Sequence, residues 1–268
     1  MTDIISSTQN PKIKSLIALQ QKSSERRKQG LFCVEGQREL QHCLEAGMEI
    51  DTIFCCPELL HSTSADSTLD IENVKTCRGT YEVTENVYSK IAYRGGTEGL
   101  VAEVRVPVRS LSSLTLRDKA LIVVVESVEK PGTLGASLRS ADAAGADAVI
   151  VCDPLTDLYN PNLIRSSIGA IFTVPCIACT SDECISFLKS HGIRILTAQL
   201  QDSQLYYETD MTHATAIVMG TEATGLTDAW RKAADAHIRI PMNGRLDSLN
   251  VSVSAAILLF EAVRQRRL

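Results

Sequence analysis

Aromatic residues make up only 4% of this 268-residue sequence. An exposed row of rings for stacking single-stranded bases is therefore not expected. Positive charge is not in excess either: 27 Lys and Arg stand against 32 Asp and Glu, a net charge of −5. That excludes a uniformly basic nucleic-acid binder and leaves room for a local basic patch. The opening residues, MTDIISSTQNPKIK, hold no apolar core of signal-peptide length, and no apolar run is long enough to span a bilayer. The expectation is a protein with no membrane partner, located in the cytoplasm, its nine cysteines present as reduced thiols.

Several catalytic signatures are missing as well. Gly132 and Gly135 are spaced G-x-x-G, not G-x-G-x-x-G. The acidic residue about twenty positions on, Asp153, precedes a proline, so a nicotinamide-binding oxidoreductase is rejected. No Gly-Lys-Ser/Thr follows a glycine run, and no G-x-S-x-G elbow occurs. The histidines His42, His61, His191, His213 and His237 are scattered. Cys176 and Cys179 form one CxxC with no second pair at zinc-ribbon spacing, so no metal is expected.

What is present is an alternation of strand and helix patterns. Asn10-Pro11 opens a helix, with Asn as cap and Pro at the first helical position. Ile13, Leu16 and Ile17 follow at helical spacing. Strands are expected at 31–34, 50–55 and 99–106, helices at 37–46 and 83–91, and a loop at 62–70. This defines a small α/β domain, residues 1–106. Its first thirty residues carry six basic side chains and two acidic ones, a local charge of +4. Cations on phosphate supply sequence-independent RNA affinity, so Lys12, Lys14, Arg26 and Arg27 are candidate RNA contacts, joined by Arg165 further on. Residues 107–118, with Pro107 and several Ser and Thr, read as a linker.

The second domain is 119–268. Residues 120–125 form a wholly apolar, β-branched run, the pattern of a strand buried on both faces. Further strands are expected at 148–152, 171–177, 193–197, 214–219 and 237–240. Helices are expected at 134–144, 161–167 and 182–191. The fold class is α/β, with a mostly parallel sheet covered by helices on both faces. The strand at 214–219 runs into Gly220-Thr221-Glu222 and Gly225. The strand at 237–240 stops at Pro241, and a polar turn leads to Ser248-Leu249-Asn250. A long helix follows, with Val251, Ala255, Leu258, Leu259 and Ala262 on one stripe. Ligands of open α/β sheets bind beyond the carboxyl ends of strands, so these turns are the candidate cofactor pocket. Arg139, a lone cation in a small-residue helix seven positions past Gly132, is the candidate that can face it.

Three blocks carry a resemblance: EKPGTLGASLRSADAAGA (129–146), VMGTEATGL (218–226) and IRIPMNGRLDSLNVSVSAAILLFE (238–261). They resemble the SpoU family of the SPOUT class, S-adenosylmethionine-dependent RNA 2′-O-ribose methyltransferases. The stretches Ser7 to Lys14 and Phe32 to Gly36 are similar to the family's ribosomal-protein-like RNA-binding extension. The resemblance implies Arg139 as the catalytic arginine, with Glu222, Ser248 and Asn250 as further catalytic residues. It implies cofactor contacts at Thr197, Gly220, Ile240 and Leu249, a deep trefoil knot, and a homodimer formed through the catalytic domains. It implies methylation of ribosomal RNA, with transfer RNA as an alternative substrate. The chain departs from the family at Thr133, where Asn is usual; this leaves open an RNA-binding assembly factor with a degenerate catalytic domain.

Overall fold

Apolar runs separated by Gly- and Pro-bearing turns build two sheets. The computed structural model describes residues 4–63, 69–93, 98–221 and 224–267. The chain divides into two compact units, Met1–Val108 with Tyr159–Ile164, and Arg109–Leu158 with Arg165–Leu268.

The first unit contains strands β1 (Ile4–Ile5), β2 (Leu31–Glu35), β3 (Ile50–Cys55), β4 (Thr76–Val83) and β5 (Leu100–Arg105), in a mixed sheet of order β1-β4-β3-β5-β2. Its helices are α1 (Pro11–Gln21), α2 (Ser23–Gln29), α3 (Gln37–Glu45), α4 (Pro57–Thr63) and α5 (Glu85–Ile91). Asn10 caps α1, its side chain accepting from the Lys12 N–H at 2.9 Å. Ile13, Leu16 and Leu19 are buried in the core below it. The segment 83–91 is not one helix: Val83 closes β4, and α5 begins after Thr84. The sequence TCRGTYEV of β4 is mostly half-exposed or exposed, so it lacks the apolar alternation by which a strand is read. The loop expected at 62–70 starts inside α4, and 64–68 lie outside the described residues.

The second unit holds β6 (Leu121–Glu126), β7 (Ala148–Cys152), β8 (Cys176–Cys179), β9 (Arg194–Ala198), β10 (Gln204–Leu205), β11 (Thr215–Met219) and β12 (Ala236–Arg239). They form a parallel sheet of order β10-β12-β9-β11-β6-β7-β8. Its helical segments are α6 (Pro131–Ala144), α8 (Ala170–Thr173), α9 (Ser181–Ser190), α10 (Asp228–Ala233) and α11 (Val251–Arg266), while α7 (Pro161–Ser167) starts in residues of the first unit and ends in those of the second. Every residue of β6 is buried, as its unbroken apolar run predicts. The strand expected at 171–177 splits instead. Gly169, at φ 83°, opens the single turn α8, and the strand begins only at Cys176. Ile171 and Phe172 are buried in either conformation, so hydrophobicity alone does not separate the two. The helix α6 begins at Pro131 rather than at 134, because Pro fills its first position without losing a needed donor.

The stripe Val251, Ala255, Leu258, Leu259 and Ala262 is buried, and α11 packs on α6 and β11. Arg266 clasps its last turn to the unit. The guanidinium donates to the carbonyls of Met211 (2.9 Å), Lys119 (2.7 Å), Ala120 (3.2 Å) and His213 (2.6 Å). Leu111, Leu114 and Leu116 pack against the core of this unit. Among the described residues, no helix is long and apolar enough to cross a membrane.

The central strand β6 ends on a buried carboxylate. Glu126 is 3% exposed and accepts from the N–H (2.9 Å) and the hydroxyl (2.7 Å) of Thr227. The Ser181 hydroxyl lies 3.2 Å from it and 2.6 Å from Asp153, while Trp230 Nε1 donates to Ser181 Oγ at 3.0 Å. Thr227 is the N-cap residue of α10 and follows the glycine turn. Glu126→Ala strands these donors, and a lost hydrogen-bonded charge costs about 3 kcal/mol. Urea unfolding should show a loss of that order, and a smaller one for Glu126→Gln, whose amide oxygen still accepts.

Candidate active site

Loops at the carboxyl ends of β9, β11 and β12 enclose a cavity of about 350 Å³. Its walls are residues 198–201, the turn carrying Gly220, Thr221 and Gly225, and residues 238–240, 242 and 247–249. Val251, Ser254 and Leu258 of α11 close it. Four residues singled out from the sequence, Gly220, Ile240, Ser248 and Leu249, line this one cavity.

The glycine turn is held by its own backbone. Thr221 and Gly225 exchange N–H to carbonyl bonds of 3.3 and 3.1 Å, and the Thr224 N–H donates to Thr221 Oγ1 at 3.0 Å. A Cβ on Gly220 would lie 2.2 Å from the Gly225 carbonyl carbon and oxygen and 2.5 Å from the Leu226 nitrogen. These obstacles are main chain, which cannot swing aside as a side chain can. Sequence reasoning missed Gln199, just past the end of β9. Its Nε2 donates to the Gln201 carbonyl at 2.9 Å, while its Oε1 is buried without a hydrogen-bond partner. An unmet buried acceptor costs about 1–3 kcal/mol, which a ligand's donor can offset.

The other expected residues fall elsewhere. Thr197 is wholly buried within β9, its hydroxyl sharing a 2.6 Å hydrogen bond with His237 Nδ1. The cavity wall starts one residue later, at Ala198, where the strand ends. Asn250 opens α11, its Oδ1 accepting from the N–H (2.9 Å) and hydroxyl (2.6 Å) of Ser252, and does not line the cavity. Glu222 lies outside the described residues. Arg139 is exposed and lines none of the cavities described here. Because α6 starts at Pro131, Arg139 sits about 12 Å along the helix axis from its first residue.

A smaller cavity of about 130 Å³ shares Gly220, Thr221 and Val251 with the first. Ser127, Glu129, Lys130 and Thr133 complete much of its lining. Thr133, the residue that departs from the family pattern, thus lines a cavity that adjoins the first.

In the first unit, Lys12, Lys14 and Arg27 are exposed, and Lys12 Nζ lies 4.6 Å from the centroid of the Tyr81 ring. Arg165, in α7, is also exposed. Arg26 is not available to a phosphate. It is 4% exposed and donates to the carbonyls of Leu19 (2.5 Å) and Gln20 (3.2 Å), closing the end of α1. Composition marked it as a surface cation; the bend between two helices buries it.

A parallel sheet with a main-chain-walled pocket at its carboxyl edge defines a ligand-binding α/β unit, accompanied by a separate mixed-sheet unit. Family comparison makes that class specific: residues 120–260 match the SpoU rRNA Methylase family, and residues 10–102 match an MRM3-like substrate binding domain. The chain belongs to the SpoU rRNA methylase family. It is 29% identical to the 23S rRNA (guanosine(2553)-2′-O)-methyltransferase RlmP of Bacillus subtilis (strain 168), over 96% of this chain and 97% of that protein. A solved RNA 2′-O ribose methyltransferase is 39% identical, with 99% and 100% of the two chains covered and a TM-score of 0.81. The AdoMet-bound rRNA methyltransferase of Sinorhizobium meliloti is 28% identical, with 98% of each chain covered and a TM-score of 0.87. Gly220→Ala is expected to weaken S-adenosylmethionine binding by roughly tenfold or more. Titration calorimetry reads this directly, and unchanged affinity would remove the glycine turn from the pocket.

Proposed function

We propose that the protein transfers a methyl group from S-adenosylmethionine to a ribose 2′-hydroxyl of large-subunit ribosomal RNA. The observation that carries this reading is the single cavity shared by Gly220, Ile240, Ser248 and Leu249, residues of the second and third matching blocks. The cofactor suits that lining. Met219, Ile240, Leu249 and Leu258 offer apolar walls, the turns offer main-chain donors and acceptors, and Gln199 Oε1 offers an acceptor to an amino group. When bound, the cofactor supplies a methyl group activated on a sulfonium.

The chain's own residues then have distinct tasks. Ser127, Lys130 and Thr133 line the smaller cavity and hold the target ribose beside the first. An in-line displacement needs the hydroxyl aligned and its proton drawn off. A guanidinium stays protonated, so Arg139 acts by holding phosphate and stabilising the charge that develops on the oxygen. Asn250 fixes the start of α11 and with it the position of Ser248 and Leu249. Glu222 serves as the acidic residue of the glycine turn.

Arg139 lines neither of the two cavities described above, so we assign it to the cavity of a second copy, in a homodimer. The exposed Val253 (47%) and Phe260 (49%) on α11 provide apolar surface for that contact. We read the segment between β12 and α11 as threaded into the trefoil knot. Residues 1–106 bind RNA, with Lys12, Lys14 and Arg27 on phosphates and Arg165 contributing from the catalytic domain. Residues 107–118 link the two, and 119–268 carry the chemistry. The nine free thiols suit the reducing cytoplasm.

The test uses labelled S-adenosylmethionine with ribosomal and transfer RNA. Label is expected on ribose 2′-oxygens of the ribosomal RNA. Arg139→Ala should lower turnover about 10²–10³-fold with cofactor affinity unchanged. Mixing Arg139→Ala with Gly220→Val subunits should restore part of the activity, because one mixed site is then intact. Label on transfer RNA alone, or on neither RNA, would overturn the assignment.

A further inference from the structure

Three thiols converge at the edge of the parallel sheet remote from the cofactor cavity. The Sγ atoms of Cys152, Cys179 and Cys184 all lie within 4.8 Å of one another. Three elements supply them. Cys152 is the last residue of β7, Cys179 is the last of β8 and its register partner, and Cys184 is the fourth residue of α9. The CxxC visible in the sequence pairs Cys179 with Cys176 instead. Three positions apart on a strand, those two side chains leave opposite faces, and Cys176 is not in the cluster.

The geometry is that of a ligand set. Zinc–thiolate bonds of about 2.3 Å place the sulfurs of a tetrahedral site roughly 3.8 Å apart. The spacing here lies within about 1 Å of that, a shift small side-chain rotations can cover. Thiols are weak hydrogen-bonding groups but strong ligands for soft cations. The frame behind them is fixed. The Cys152 carbonyl accepts from the Ser127 N–H at 2.8 Å, and the Cys179 carbonyl accepts from the Asp153 N–H at 2.9 Å. A capping box between Thr180 and Glu183 sets the first turn of α9. Cys152 and Cys184 are fully buried, whereas Cys179 is only partly so, which gives an ion a path to the thiols.

We propose that Cys152, Cys179 and Cys184 bind one thiophilic cation, zinc(II) or copper(I), with any fourth position left to water. Each thiol that becomes a ligand exchanges its S–H bond for a sulfur–metal bond and releases its proton to solvent. The ion ties β7 and β8 to α9 and works as a structural clip, separate from methyl transfer.

The test uses the full chain, reduced and stripped of metal, in a Cys77→Ser background because Cys77 is exposed. The protein is incubated with zinc(II) or, without oxygen, with copper(I), then desalted and analysed by plasma mass spectrometry. About one equivalent of one of these ions should be retained, falling to about a tenth or less in Cys179→Ser. Cys176→Ser should keep its metal. The cobalt(II)-loaded protein should show a thiolate-to-metal charge-transfer band that Cys179→Ser lacks, and circular dichroism of the metal-free variants checks their folding. No retained ion in the parent, or equal retention in a folded Cys179→Ser, would overturn the site. Retention of zinc alone or of copper alone upholds it and names the ion.

Discussion

Burying the carboxylate of Glu126 at the end of the central strand obliges the chain around it to supply donors. Thr227 supplies two of them, and the hydroxyl of Ser181 lies within reach. Thr227 stands directly after the glycine turn, and Gly220 directly after β11. The turn is thus held at both ends, by a strand at one and by a desolvated charge at the other. Its main chain can then serve as a rigid wall. The same carboxylate draws in the start of α9 through Ser181, and Trp230 is satisfied on that hydroxyl.

A pocket walled by main chain has a particular economy of recognition. Peptide N–H and C=O groups point where the turn geometry sends them, whatever side chains the turn carries. What the turn cannot accept is bulk at its closest approach, and Gly220 occupies that point. The two cavities meet at Gly220, Thr221 and Val251, so one short piece of backbone borders both. Asn250, by capping α11, fixes one side of this boundary, and the β11 end fixes the other.

Much of this was legible in the residues. The unbroken apolar run of β6 announced a doubly covered strand, and the stripe on α11 named its buried face. The turns at Gly220 and Ser248 pointed to the cavity because parallel sheets place ligands at their carboxyl ends. The failures have local causes. The half-exposed β4 shows no period-two pattern. Ile171 and Phe172 are apolar for reasons common to helix and strand. Arg26 looked like a surface cation because composition does not show two helices bending to bury it. Thr197 missed the pocket by one residue, the margin within which strand ends are uncertain. The thiol cluster had no spacing to reveal it, since sheet order brings its members together.

The Arg266 clasp reaches the carbonyls of Lys119 and Ala120 across 147 and 146 positions. The edge of β6 that pairs with β11 also waits for residues made much later. At about 5–20 residues per second, nascent β6 emerges roughly 7–30 s before the arginine that secures it. Until β11 is made, roughly 5–19 s after β6 at the same rate, an apolar strand stands with one edge unpaired, a state prone to cross-association. Translation therefore imposes a delay between the making of this unit's central strand and its closure by the last helix.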